Sequence, residues 1–185
     1  MDILAILYTV CAVLLALYTS GQGILLFRFW RTYHQTTPTQ PITDYPTVTI
    51  QLPLYNEQYV AQRLIHAVAQ LDYPHDKLWI QILDDSSDNT SQVVTQTIAN
   101  LQTQGMQIQH IQRTERTGYK AGALAHGLAC LHTDYVAIFD ADFIPSPDFL
   151  QQTLPHLIHN SKIGVVQTRW GHLNADDNWL TRAQA

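Results

Sequence analysis

The chain has 185 residues and is 46% apolar, enough for one domain of ordinary size with a true core plus an appended segment. Its net charge of −5, with no basic run, argues against nucleic acid as the main partner. Two cysteines, Cys11 and Cys130, in unlike surroundings exclude a disulfide framework or a Cys-x-x-Cys metal site and fit a reducing compartment.

Ile3 to Phe27 is almost wholly apolar and uncharged. Roughly 20 such residues suffice to cross the hydrocarbon core as a helix. Gly21, Gln22 and Gly23 weaken its last third, but membrane helices tolerate glycine. Phe27 to Tyr33 comes next, with an interfacial aromatic belt and two arginines, Arg28 and Arg31. There is no positive n-region and no small-x-small cleavage site, so an anchor is expected rather than a cleaved signal peptide. The arginines on its C-terminal side predict a cytosolic location for the rest of the chain, at the cell (inner) membrane. Expected segments are residues 1–33 as anchor and juxtamembrane stretch, 34–46 as a Thr/Pro-rich linker, and 47–185 as the remaining domain.

From Thr47 onward strand and helix patterns alternate. Strands are predicted at Thr47–Pro53, Leu78–Leu83, Gln107–Gln112, Tyr135–Phe139 and Ile163–Gln167. Helices are predicted at Glu57–Leu71, with Val60, Leu64, Val68 and Leu71 on one face, and at Thr90–Gln104, stopped by Gly105. Further helices are predicted at Lys120–Leu131 and at Asp148–Asn160, where Leu150, Leu154, Leu157 and Ile158 point inward, and one begins near Trp179. The alternation implies an α/β fold, with a mostly parallel sheet covered by helices on both faces. His156 and His159 share a helix face but lack a third ligand, so they read as solvated.

Chemistry-bearing residues gather where strands end. Alternation along an extended chain puts Asp140 and Asp142 on one side of the chain, able to face one point. Two carboxylates aimed at one point need a cation between them, and a hard divalent ion such as Mg²⁺ or Mn²⁺ commonly bridges carboxylates to phosphates. The first strand ends in Leu52-Pro-Leu-Tyr-Asn-Glu57, the second in Leu83-Asp-Asp-Ser-Ser-Asp88, and the third runs into Arg113-Thr-Glu-Arg-Thr-Gly-Tyr-Lys-Ala-Gly122. In a right-handed parallel fold these ends share one edge of the sheet. Carboxylates, basic side chains and a glycine-bearing turn in one crevice suit a nucleoside diphosphate. Taken singly, each has a plainer reading. Pro53 can end a strand, Asp84 and Asp85 can be turn residues, Lys120 can be a solvated helix-start lysine, and Gly118 and Gly122 can serve turn and packing; Asp88 is best read as a helix cap. Their joint occurrence in order, each after a strand, argues for function.

The segments QLPLYNE, LDDSSD, RTGYKAGAL, DYVAIFDADFIPSPDFL and VQTRW resemble those of processive family 2 glycosyltransferases. Within the cellulose synthase superfamily, the likeness is greatest to the cellulose synthase-like mannan and xyloglucan-backbone synthases and their bacterial relatives. It covers about Val48 to the C-terminus. It implies a GT-A fold, Rossmann-like, transferring a hexose from a nucleotide sugar of UDP-glucose or GDP-mannose type, with inversion, to a growing β-linked polysaccharide. It further implies that Pro53, Tyr55 and Glu57 line the nucleotide base and that Asp84 or Asp85 contacts the nucleoside. Lys120, Ala121 and Gly122 lie near the diphosphate, with Arg116 as a further cation, and Asp140 and Asp142 hold metal and diphosphate. The family's later Thr-Glu-Asp-type motif, source of the general base, and its Gln-x-x-Arg-Trp do not occur here, and Gln167-Thr-Arg-Trp170 is one residue short of the latter. The chain is therefore expected to be an N-terminal fragment holding anchor, linker and donor half. Alternatives are a single-sugar transferase acting on a lipid carrier and a non-catalytic nucleotide-sugar-binding membrane module. A Rossmann dinucleotide-binding protein is disfavoured, because Gly-x-Gly-x-x-Gly is missing after the first strand.

Overall fold

A computed structural model describes residues 2–32, 40–131, 133–169, 171 and 176–184. Residues 34–39 of the expected linker, Tyr33 of the aromatic belt and Trp170 of the Gln167–Trp170 segment lie outside the described residues. The chain divides into two compact units, residues 1–38 and 39–185.

The first unit holds one helix, α1 (Ile3–Thr32), of 30 residues. At 1.5 Å per residue it is about 45 Å long, more than the roughly 30 Å hydrocarbon core needs. It is long and apolar enough to cross a membrane. The hydroxyls of Thr9, Thr19, Ser20 and Thr32 donate to carbonyls three or four residues back along the helix.

The second unit is a four-stranded, all-parallel sheet in the order β3-β2-β1-β4, formed by β1 (Val48–Leu54), β2 (Leu78–Asp84), β3 (Gln107–Gln112) and β4 (Tyr135–Ile138). Val48, Ile50, Leu52 and Leu54 of β1 alternate with Thr49, Gln51 and Pro53, and nearly all are buried. A central parallel strand is covered on both faces, so both sets leave water. The helices are α2 (Ala61–Ala69), α3 (Thr90–Thr103), α4 (Tyr119–Leu128), α5 (Phe149–Ile158) and the short α6 (Trp179–Gln184). Ile50, Leu52, Ile80 and Ile82 share one core with Leu64, Ile65 and Val68 of α2, Val94, Ile98 and Leu101 of α3, and Leu150 and Leu154 of α5. The other face carries Gln51 and Gln81, whose side chains hydrogen-bond to each other at 3.1 Å beneath Gly127 of α4.

Three expectations are corrected. The predicted strand Ile163–Gln167 forms no ladder among the described residues and is not a strand; Val165 is 82% exposed. Its apolar, β-branched composition supplies propensity, but a strand needs a hydrogen-bonded neighbour. Residues 164–168 instead lie across a cavity of about 440 Å³ from the open edge of β4. The helix expected from Glu57 begins only at Ala61. Asn56 adopts a left-handed φ of 57°, and its side chain accepts a hydrogen bond from Ser87 N at 2.9 Å, so the chain leaves β1 through a pinned turn. In α5, Leu150 and Leu154 are buried but Ile158 is 36% exposed. It follows Leu157 by about 100° around the helix and so turns off the apolar stripe.

Candidate functional site

Because all four strands run the same way, their carboxyl ends share one edge. The order reverses between β1 and β4, the place where open α/β sheets form a ligand crevice. Pro53 helps open it. Gln51 O accepts from Phe139 N, so Gln51 faces β4, and by the two-residue period so does Pro53. Proline has no N–H to donate. The β1–β4 ladder ends at Gln51 and Ile138, and β4 passes directly into the Asp140–Asp142 turn.

A cavity of about 530 Å³ lies at this edge. Eight of the eleven predicted site residues line it: Pro53, Tyr55, Glu57, Asp85, Arg116, Lys120, Asp140 and Asp142. The β1 end supplies Tyr55 and Glu57, the β2 end Asp85, the loop between β3 and α4 Arg116, the first turn of α4 Lys120, and the β4 end the two aspartates.

Of the three predicted residues outside the lining, Ala121 is exposed on α4 and the other two have places of their own. Asp84 is buried and points toward β3 and α3. It accepts hydrogen bonds from Ser86 N at 2.9 Å and from the Ser91 hydroxyl, and its Oδ2 lies 2.9 Å from His110 Nε2. Burial by itself would raise its pKa, but the hydrogen bonds from His110, Ser86 and Ser91 together outweigh burial and hold the carboxyl far below the usual range. Gly122 lies under the loop: a Cβ there would overlap the Thr117 carbonyl oxygen and sit 2.8 Å from Arg113 Nη1.

Charge is paired across the cavity. Lys120 Nζ forms an ion pair with Asp140 Oδ1, both side chains being about half exposed. The Arg116 guanidinium lies 3.2 Å from the centroid of the Tyr55 ring and 5.0 Å from that of Tyr119, a cation–π stack at the mouth. Asp88, expected to cap α3, lies one residue before its N-cap, Asn89; its Oδ1 accepts from Thr90 N at 2.9 Å in a turn that leads into the helix.

The sequence reading missed Arg113. It follows β3 directly and forms a bidentate pair with Asp85, Nε to Oδ1 at 2.8 Å and Nη2 to Oδ2. An arginine at the end of a strand whose neighbour ends in Asp-Asp was the available signal.

Among the described residues, no group of three or more His, Cys, Asp or Glu is placed to hold a metal alone. Asp140 and Asp142 nevertheless offer hard carboxylate oxygens on one cavity wall, with room beside them for phosphate oxygens and water. That donor set fits Mg²⁺ or Mn²⁺ bound jointly with a diphosphate.

Comparison with known proteins agrees with this architecture. The mannosyltransferase PcManGT from Pyrobaculum calidifontis, solved in complex with GDP-Man and Mn²⁺, superposes with a TM-score of 0.66 and 29% identity, over 79% of this chain and 43% of that one. Glucosyl-3-phosphoglycerate synthase from Mycobacterium tuberculosis, solved with Mn²⁺, UDP-Glc and phosphoglyceric acid, shares the fold at a TM-score of 0.50 and 22% identity, over 70% of this chain and 47% of that one. The fold is thus that of the GT-A class of nucleotide-sugar enzymes. The family model described as Glycosyl transferase family 2 matches residues 49–184, and the chain belongs to that family. Its curated relatives include glucomannan 4-beta-mannosyltransferase 2 from Arabidopsis thaliana, 41% identical over 87% of this chain and 32% of the relative. Glucomannan 4-beta-mannosyltransferase 1 from Oryza sativa subsp. japonica is 42% identical over 92% of this chain and 34% of its own length. The chain therefore spans about a third of the length of the curated relatives it matches.

Proposed function

We propose that this chain is the donor-binding part of an inverting hexosyltransferase that extends a β-linked polysaccharide of mannan or glucomannan type from a nucleotide sugar. A GDP-hexose is the favoured donor. The observation that carries the reading is the single cavity joining Asp85, Arg116, Lys120, Asp140 and Asp142 at the switch point of the sheet. Likeness to the glucomannan mannosyltransferases and to a mannosyltransferase bound to GDP-Man favours mannose and guanosine.

In this reading Tyr55 and Glu57 flank the nucleoside end, and Asp85 offers its carboxylate to that end. Asp140 and Asp142 hold the metal, Mn²⁺ or Mg²⁺. When bound, the metal acts as a Lewis acid toward the charge that develops on the departing diphosphate. Lys120 and Arg116 direct cationic donors at the same oxygens and supplement that stabilisation. The base that takes the acceptor's proton belongs to a motif that this sequence does not contain. The helix α1 anchors the domain on the cytosolic side of the inner membrane.

Two carboxylates are too few for a six-oxygen shell, so metal and nucleotide should bind synergistically, each tightening the other by the same factor. Nucleotide titration of the full chain with and without Mn²⁺ tests this. Asp142→Asn keeps size and polarity and should erase most of the coupling, with Asp140→Asn erasing less. A folded Asp142→Asn variant that keeps the parent's full metal dependence would place the metal elsewhere and end this reading.

A further inference from the structure

Arg113 sits behind the cavity wall rather than in it. Its side chain is 12% exposed and that of its partner Asp85 is 5% exposed. The guanidinium fork is filled on both sides. Nε and Nη2 hold the Asp85 carboxylate, Nη1 donates to Thr117 O at 2.9 Å, and Nη2 also donates to Tyr119 O at 3.1 Å. One side chain therefore ties the end of β2 to the loop entering α4. That loop is conformationally costly: Gly118 and Tyr119 are both left-handed, with φ of 73° and 50°. For Tyr119 such a backbone is strained, and it persists only where the surroundings impose it. The two carbonyls that Arg113 holds flank Gly118 and Tyr119, so Arg113 supplies part of that constraint.

The loop carries Arg116, stacked on Tyr55, and leads at once to Lys120, paired with Asp140. Asp85 and these two cations stand at different parts of the same cavity. We propose that Arg113 is a positioning residue that presets Asp85 and the Arg116–Lys120 segment as one unit, so that the nucleoside and diphosphate ends of the donor meet prearranged partners. This rests on the donor-site reading above. It adds that part of the site's affinity comes from ordering completed before the ligand arrives, which lowers the entropy cost of binding. Charge alone would not do this. Lysine keeps the charge of Arg113 but cannot grip both carboxylate oxygens while donating to two carbonyls on its other side.

The test uses the full chain in detergent, with Mn²⁺ plus GDP or UDP and, separately, the corresponding nucleosides. Arg113→Lys should fold and keep the circular dichroism of the parent, yet bind the diphosphate about 10–100-fold more weakly, the range typical of lost supporting contacts. Nucleoside affinity should fall less. Hydrogen exchange of residues 114–120 should quicken in the ligand-free variant and recover on saturation with Mn²⁺ and nucleotide, while β1 and β2 exchange as in the parent. A purely structural role would quicken the strands as well. Parent-like affinity and loop exchange in folded Arg113→Lys would overturn the proposal and leave the donor reading intact. Absence of any diphosphate binding by the parent would remove both. Exchange in the ligand-free parent provides a check independent of the variant: if residues 117–120 exchange at the rate of an unrestrained loop, nothing is preset and the proposal fails.

Discussion

The same small change, glycine to alanine, should give three different costs at Gly122, Gly127 and Gly164. At Gly122 in α4 the added methyl would overlap the Thr117 carbonyl oxygen, a backbone atom, and stand 2.8 Å from Arg113 Nη1. Neither neighbour yields easily, because Arg113 donates to that carbonyl and grips Asp85 as well. Overpacking of this kind costs about 1–3 kcal/mol. Weakening the Arg113–Thr117 hydrogen bond, which involves a charged donor, adds about 1.5–3 kcal/mol. Alanine returns about 1 kcal/mol through its higher helix propensity. The net expectation is a loss of about 3 kcal/mol, or a fall of about 2 M in urea midpoint at an m-value of about 1.5 kcal/mol/M. At Gly127 the methyl would meet side-chain atoms, Gln51 Nε2 at 2.7 Å and Leu83 Cδ2 at 2.8 Å, which have freedom to shift. The net loss there should be near 1 kcal/mol after the same propensity gain. At Gly164 nothing lies within 4 Å, and the change should stay within about 0.5 kcal/mol. Urea unfolding of the full chain in detergent, followed by tryptophan fluorescence, measures the series. If Gly122→Ala is as stable as Gly164→Ala, the loop does not rest on α4 and the packing account of the site is wrong.

Lys120→Gln should move two affinities in opposite directions. With its internal counter-ion gone, Asp140 should take Mn²⁺ alone about two- to five-fold more tightly, the modest scale of a half-exposed ion pair, while a nucleoside diphosphate binds more weakly. Electron paramagnetic resonance for free Mn²⁺ and calorimetry for the nucleotide decide it, and a shift of both in one direction refutes it. Asp84 should make the fold acid-sensitive. Its native carboxyl stays ionised where the unfolded chain, with a pKa of about 3.9, takes up a proton. Its contribution is therefore complete above that value and is lost as pH falls toward the depressed native pKa. Asp84→Asn should flatten the loss of stability below about pH 4, as read by urea midpoints against pH, and an unchanged slope would assign the sensitivity to other groups. For orientation, protease added to sealed inside-out vesicles should digest the domain after α1, and protection there would place it on the opposite side.

Alternation of apolar runs was enough to read the four paired strands, the helices between them and the acidic turn after β4. These patterns are local, with a period of two for a strand and 3.6 for a helix, and a buried parallel strand such as VTIQLPL has few other ways to hide its side chains. The uncharged run of α1 was legible for the same reason. Ile163–Gln167 shows the limit, since its local preference was strandlike but its state depends on whether a neighbouring edge lies within hydrogen-bond reach. Asp84 and Asp85 were indistinguishable along the chain. Adjacent residues in extended chain point to opposite sides, so one was bound to face the helices and the other the crevice, but only packing decides which. The sequence signalled that Arg113 stood near an acidic strand end, but its full role was hidden for a similar reason. Its role comes from a carboxylate 28 positions earlier and two carbonyls in a left-handed turn, partners that come together only when β2, β3 and α4 have assembled.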